Sequence, residues 1–174
     1  MLATRMMMSG PSAPQETYTN TLTFNGSGFE AYSVRAIIPA SALSVNGTQV
    51  RFTCESSSGG SLTVDNMSIV ERSGSTANGT AIPSEVLFSA SSGFTIPANS
   101  TIVSDWLTFT LDATKDYLNV FDFNASNGFA KSLISGSHGQ YTKVATNSYN
   151  IQTVAGFTFE SGRAAIVNKI EVRS

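Results

Sequence analysis

Val103-Ser104-Asp105-Trp106-Leu107-Thr108-Phe109-Thr110-Leu111 is the stretch whose pattern decides the fold class. Its odd positions carry Val, Asp, Leu, Phe and Leu, and its even positions carry Ser, Trp, Thr and Thr. A period of two marks a strand with one face on a core and the other toward solvent. Trp106 stands apart as a large ring on the polar face.

The same texture extends in both directions. Short runs rich in Val, Ile, Phe, Thr and Tyr recur from about residue 18, separated by Gly, Asn, Ser and Pro roughly every ten residues, the rhythm of a sandwich or barrel. Strands are expected over 18–24, 32–38, 49–54, 62–71, 85–89, 102–111, 117–123, 141–146, 156–160 and 164–173. The apolar phase shifts between Leu62/Val64 and Met67/Ile69, which predicts a bulge near Asp65-Asn66. No window sustains a 3.6-residue period, so a single helical turn around 40–43 is the most that is expected. Asn46-Gly47, Asn78-Gly79 and Asn127-Gly128 read as tight turns whose residues accept positive φ. Pro39, Pro83 and Pro97 fall at strand edges, where a missing donor does least harm.

These signals predict an all-β chain: a jelly-roll-like β-sandwich over 18–174, preceded by an extended N-terminal arm over 1–17. A chain of 174 residues buries a sizeable core as one domain. The formal charge of −2 shows no basic stripe, so no nucleic-acid partner is expected. Lys and Arg are scattered singly and no apolar run approaches the roughly 20 residues that cross a bilayer, so no membrane partner is expected either.

Cys54 is the sole cysteine, which excludes an intramolecular disulfide, and its alternation with Val50 and Phe52 predicts a buried, inert thiol. The start holds three consecutive Met but no hydrophobic region of signal-peptide type. It reads either as a frayed terminus or as a docking arm in which Leu2, Met6, Met7 and Met8 fill a groove on a neighbour.

Residues for catalysis are sparse. The one histidine, His138, lies in Ser135-Gly136-Ser137-His138-Gly139-Gln140, which reads as a surface loop, and no Gly-x-Ser-x-Gly elbow is present. The twelve acidic residues are dispersed, with no pair singled out for glycoside hydrolysis. Asp112 and Asp116 flank a turn and read either as solvated carboxylates or as part of a structural calcium site. No other metal and no cofactor is signalled, and no Gly-rich phosphate loop precedes a helix. Six Asn-x-Ser/Thr sequons, at Asn25, Asn46, Asn66, Asn78, Asn99 and Asn124, are the chance yield of an Asn-, Ser- and Thr-rich chain.

Trp106 among Ser104 and Thr108 suits sugar binding, in which a pyranose stacks on a ring while polar neighbours bond its hydroxyls. The competing reading packs Trp106 on a neighbouring strand or subunit. Tyr117, Tyr141 and Tyr149 are the further candidate rings for a glycan face.

Two resemblances complete the reading. Val50-Arg51-Phe52, Gly59-Gly60-Ser61-Leu62-Thr63-Val64, Ala81-Ile82-Pro83, Val86-Leu87-Phe88 and Phe94-Thr95-Ile96-Pro97-Ala98, leading into Val103-Ser104-Asp105, resemble the non-catalytic β-sandwich that precedes the catalytic domain in some bacterial GDSL/SGNH-type esterases. That resemblance covers residues 38–111 and implies a jelly-roll sandwich without the reaction, because the Gly-Asp-Ser-Leu block and the Asp-x-x-His pair are absent. The low charge, the Ser/Thr/Asn-rich strands and the Met-rich start also look like a small bacteriophage virion protein of decoration or fibre type. That likeness implies a non-enzymatic subunit on a virion, with other virion proteins, further copies of itself and surface polysaccharide as partners. The alternatives are a carbohydrate-binding module in an extracellular or cell-surface setting and a hydrolase accessory domain.

Overall fold

The computed structural model describes residues 10–25, 31–123, 131–144 and 147–174, without the side chains of 133–137. Leu2, Met6, Met7 and Met8 lie outside the described residues, as do Asn124, the Asn127-Gly128 turn and the last two positions of the expected strand 141–146. In chain order the strands are β1 (Gln15–Thr19), β2 (Phe24–Asn25), β3 (Tyr32–Ile38), β4 (Gly47–Glu55), β5 (Leu62–Val64), β6 (Asn66–Glu71) and β7 (Ser84–Glu85). They continue as β8 (Phe94–Ile96), β9 (Thr101–Val103), β10 (Leu107–Leu111), β11 (Tyr117–Phe123), β12 (Lys131–Val144), β13 (Thr158–Ala165) and β14 (Val167–Arg173). One 3₁₀ turn, Ala40–Ala42, sits where the helical turn is expected.

Two antiparallel sheets enclose the core as a β-sandwich. The first runs β1-β14-β4-β10, with β9 also on β4, and the second runs β13-β12-β3-β11-β6-β7, with β2 on β12. A small third sheet pairs β5 with β8. The pairs β1 with β14, β3 with β11, β4 with β9 and β10, and β6 with β7 are nested one inside the next along the chain. Added contacts of β14 with β4 and of β11 with β6 gather this folded-back ribbon into the two sheets. The β12–β13 hairpin enters between β11 and β14 and widens the second sheet beyond β3.

Alternation fills the space between the sheets. Val50, Phe52 and Cys54 of β4 meet Val34, Ala36 and Ile38 of β3 and Phe121 and Phe123 of β11 in one cluster. Cys54 is fully buried, and burial pushes its thiol pKa up, as an inert core cysteine requires.

Several expectations are corrected. The expected strand 102–111 divides into β9 and β10 with residues 104–106 between them, because the chain takes one more residue than β4 does over this span. Ser104 is therefore buried rather than on a polar face: its Oγ accepts from the Phe52 amide at 3.0 Å and its own amide donates to the Phe52 carbonyl at 2.9 Å. Val103 turns outward, and the core face resumes with Leu107, Phe109 and Leu111. At Asp65 the chain changes sheets rather than bulging, since β5 leaves to pair with β8. Gly47 and Gly79 are absent from the positive-φ residues. Close approach demands them instead: a Cβ on Gly47 would lie 2.5 Å from Val172 Cβ, and one on Gly79 would lie 2.6 Å from Val70 Cγ2. Their asparagines tie loops down, Asn46 Oδ1 accepting from the Ala113 amide and Asn78 Oδ1 from the Val154 amide.

Both faces of β11 are buried. Its outward Leu118 and Val120 join Ile37, Val70, Ala77 and Tyr141 in a second apolar cluster, roofed by Tyr149, Val154 and Phe157. Arg35 lies fully buried beneath this roof, donating to the carbonyls of Ala77 and Ser148 at 2.8 Å each and to that of Ile151. Asp122 accepts from the amides of Ser148 and Tyr149, each at 2.9 Å, and from the Ser33 hydroxyl. Burial lowers the Arg35 pKa to about 10, with Asp122 opposing the shift, so the guanidinium stays charged at neutral pH. Replacing Arg35 with Met strands three carbonyls and the Asp122 charge. Urea unfolding of Arg35→Met is expected to show a loss of about 3–5 kcal/mol, and a loss under about 1 kcal/mol would mean the roof is held by its apolar contacts.

Candidate ligand-binding face around Trp106

The strands β4 and β14 that send Val50, Phe52, Ile170 and Val172 inward send Gln49, Arg51, Lys169, Glu171 and Arg173 outward. Register sets Glu171 opposite Arg51 and Arg173 opposite Gln49. Trp106, on the link between β9 and β10, places its ring centroid 4.7 Å from the Arg51 guanidinium carbon and 4.2 Å from that of Arg173. Arg51 donates through Nε and Nη2 to one Glu171 oxygen at 3.0 and 2.8 Å. Lys169 Nζ lies 3.6 Å from Glu171 and 3.7 Å from Glu16, and Arg173 Nε donates to Gln49 Oε1 at 2.6 Å.

Trp106 is half-buried. Each exposed cation–π contact contributes on the order of 0.5–1 kcal/mol, and partly exposed ion pairs contribute still less. The cluster is a small term in stability. Its chemical consequence is orientation: two guanidinium planes hold an indole ring at the centre of a face carrying hydrogen-bond donors and acceptors.

The four expected rings do not assemble into one platform. Tyr117 is 1% exposed, edge-on to Phe109, and its hydroxyl accepts from the Asp112 amide, so it belongs to the core. Tyr141 is buried on the outer side of the second sheet, its hydroxyl accepting from Arg72 and donating to the Ser75 carbonyl. Tyr149 is half-buried in the roof over Arg35. Trp106 alone of the four stands on the open face of the first sheet. Arg51, Arg173 and Glu171 were missed because they are remote from it in sequence, and alternation along β4 and β14 was the signal that could have located them.

His138 is not in a loop. It lies within β12, 7% exposed, with Nε2 3.3 Å from Asn20 Nδ2 and its ring edge-on to Tyr18. Asp112 accepts from the amide and hydroxyl of Thr114, which lowers its pKa, while Asp116 accepts from the Ala40 amide and lies 3.5 Å from Arg72. Among the described residues no group of three or more His, Cys, Asp and Glu gathers to hold a metal ion. No protein-family model and no curated protein matches the chain. The esterase-domain resemblance therefore rests on the residues quoted for it, and the virion likeness on composition and the Met-rich start.

Burial lowers the His138 pKa, so between the folded and unfolded values the unfolded chain binds the proton more readily. The contribution of the neutral ring is complete above the unfolded value of about 6.5 and is lost as pH falls through the folded one. Urea midpoints from about pH 7.5 down to about pH 5 are expected to fall more steeply for the wild-type chain than for His138→Gln. Equal slopes would show that His138 titrates alike in both states.

Proposed function

We propose that the chain is a non-enzymatic structural subunit of a virion, of decoration or fibre type, that assembles with further copies and other virion proteins through its N-terminal arm. The nested strand pairing carries this reading. The orders β1-β14-β4-β10 and β3-β11-β6-β7, with the β12–β13 hairpin added at one edge, support the jelly-roll reading. That architecture recurs in viral capsid proteins and in lectins, so the support is by analogy of fold. Beside it, residues 10–14 precede β1 exposed and without regular structure, with the Ser12 amide donating to the Ser174 carbonyl at 2.7 Å.

Light scattering tests the assembly. The full chain is expected as a defined oligomer that falls to monomer when residues 1–11 are removed, a cut that leaves Ser12 and β1 in place. A monomer in both cases would overturn the reading.

A second reading, a carbohydrate-binding module, is favoured by the half-buried ring of Trp106 on the outer face of the first sheet, with the guanidinium groups of Arg51 and Arg173 over it as hydrogen-bond donors. The two are compatible if the subunit touches host surface glycans through this face. Because the chain has one tryptophan, its fluorescence reports directly: polysaccharide is expected to quench it, and Trp106→Ala to weaken binding at least about tenfold, or about 1.4 kcal/mol. A flat titration across neutral and acidic polysaccharides would remove the glycan part and leave the assembly reading untouched.

A further inference from the structure

Three residues outside the Trp106 face meet where the two sheets join. Glu55 ends β4, Lys131 opens β12, and Asn168 is the second residue of β14. Ile166 brings them together. It links β13 of the second sheet to β14 of the first, fully buried and with a φ of 49°, a left-handed conformation that β-branched residues adopt only when their surroundings enforce it. Its amide donates to the Lys131 carbonyl and its carbonyl accepts from the Glu55 amide, both at 2.8 Å. Asn168 falls within the register irregularity between Val167 and Lys169.

The side chains converge on one carboxylate. Lys131 Nζ bonds Glu55 Oε1, and Asn168 Nδ2 donates to Glu55 Oε2 at 3.0 Å. The Lys131 and Glu55 side chains are each 19% exposed. Asn168 Oδ1 is buried and accepts no hydrogen bond. An ion pair by itself explains neither the carboxamide on the same carboxylate nor its orphaned oxygen, and buried polar atoms without partners call for an explanation.

An amine, a carboxamide and a shared proton carrier are the components of an acyl transfer. In water the reaction does not proceed, because the lysine is protonated and the amide nitrogen is a poor leaving group. A carboxylate bonded to both groups is placed to carry a proton from the amine to the amide nitrogen, and holding the two on one carboxylate raises the effective concentration of the amine. We propose that Lys131 and Asn168 join in an intramolecular isopeptide bond, with Glu55 as the proton carrier. Glu55 takes a proton from the Lys131 ammonium, and the freed Nζ lone pair attacks Asn168 Cγ. The attacking nitrogen sheds its extra proton and Glu55 delivers one to Nδ2 as the Cγ–Nδ2 bond breaks. The products are a Cγ–Nζ amide and ammonia, which leaves as ammonium, and Glu55 returns to the carboxylate. The step is a single self-modification with no external substrate, and it bonds β12 of one sheet to β14 of the other.

Intact mass of the full chain, with tandem mass spectrometry of a proteolytic digest, tests this. The expected chain is lighter than its sequence by one ammonia, with a branched peptide joining Lys131 to Asn168. Lys131→Arg keeps the charge beside Glu55 without a competent nucleophile, and Glu55→Gln keeps the shape without the base. Both are expected to show the unmodified mass while retaining the wild-type far-ultraviolet circular dichroism. Linear peptides carrying unmodified Lys131 and Asn168 in the wild-type chain would overturn the proposal. So would an ammonia loss that maps to a succinimide at Asn46-Gly47 or Asn78-Gly79, which mild base reopens and an isopeptide survives.

Discussion

The buried guanidinium of Arg35, with three backbone carbonyls for partners, is the interaction on which the second sheet depends. A strand buried on both faces needs something to cover the side away from the sandwich core, and β11 is such a strand. Its cover is irregular chain, and irregular chain brings carbonyls and amides that no ladder satisfies. Arg35 takes the carbonyls, Asp122 takes the amides of Ser148 and Tyr149, and Ser68 Oγ donates to the Tyr149 carbonyl. Val154 and Phe157 can then lie on Leu118 and Val120 without burying unpaired backbone. Arg35 Nε remains without an acceptor, so the network is not complete.

Where a run of bulky, strand-forming residues is bounded by turn residues, the fold was legible: 32–38 and 117–123 coincide with β3 and β11. The reading failed where tertiary context overrides local composition. Residues 135–140 are rich in Ser and Gly and read as a loop, yet β12 runs through them because β13 and β3 flank it. Val103 to Trp106 read as continuous strand because one inserted residue changes the phase without changing the residue types. The glycines of Asn46-Gly47 and Asn78-Gly79 were legible as necessary, though for the wrong reason: the steric demand comes from Val172 and Val70, remote in sequence.

Sites were less legible than strands for the same cause. Trp106 betrayed itself by a break in local pattern, whereas its guanidinium neighbours come from two other strands. Tyr117 looked equivalent to Trp106 as an aromatic in a strand, but burial on both faces of β11 cannot be read from a seven-residue run in which every position carries bulk or a partner. Glu55, Lys131 and Asn168 carry no signal in sequence at all. Each is an ordinary polar residue at a strand end, and what makes them a group is the left-handed Ile166, itself invisible in a run of Ala164-Ala165-Ile166-Val167.

The two outer faces of the sandwich are consequently unlike, and the difference bears on where a partner can sit. On the second sheet the outer face around β11 and β3 is already covered by the chain's own roof. The first sheet has no such cover among the described residues, and Trp106, Arg51 and Arg173 stand on its open side. The same sheet carries both ends of the described chain, because β1 pairs with β14 and Ser12 and Ser174 exchange two hydrogen bonds. An arm leaving at residue 12 and a ligand resting on Trp106 would therefore share one sheet, with Arg173 next in sequence to the residue that anchors the arm.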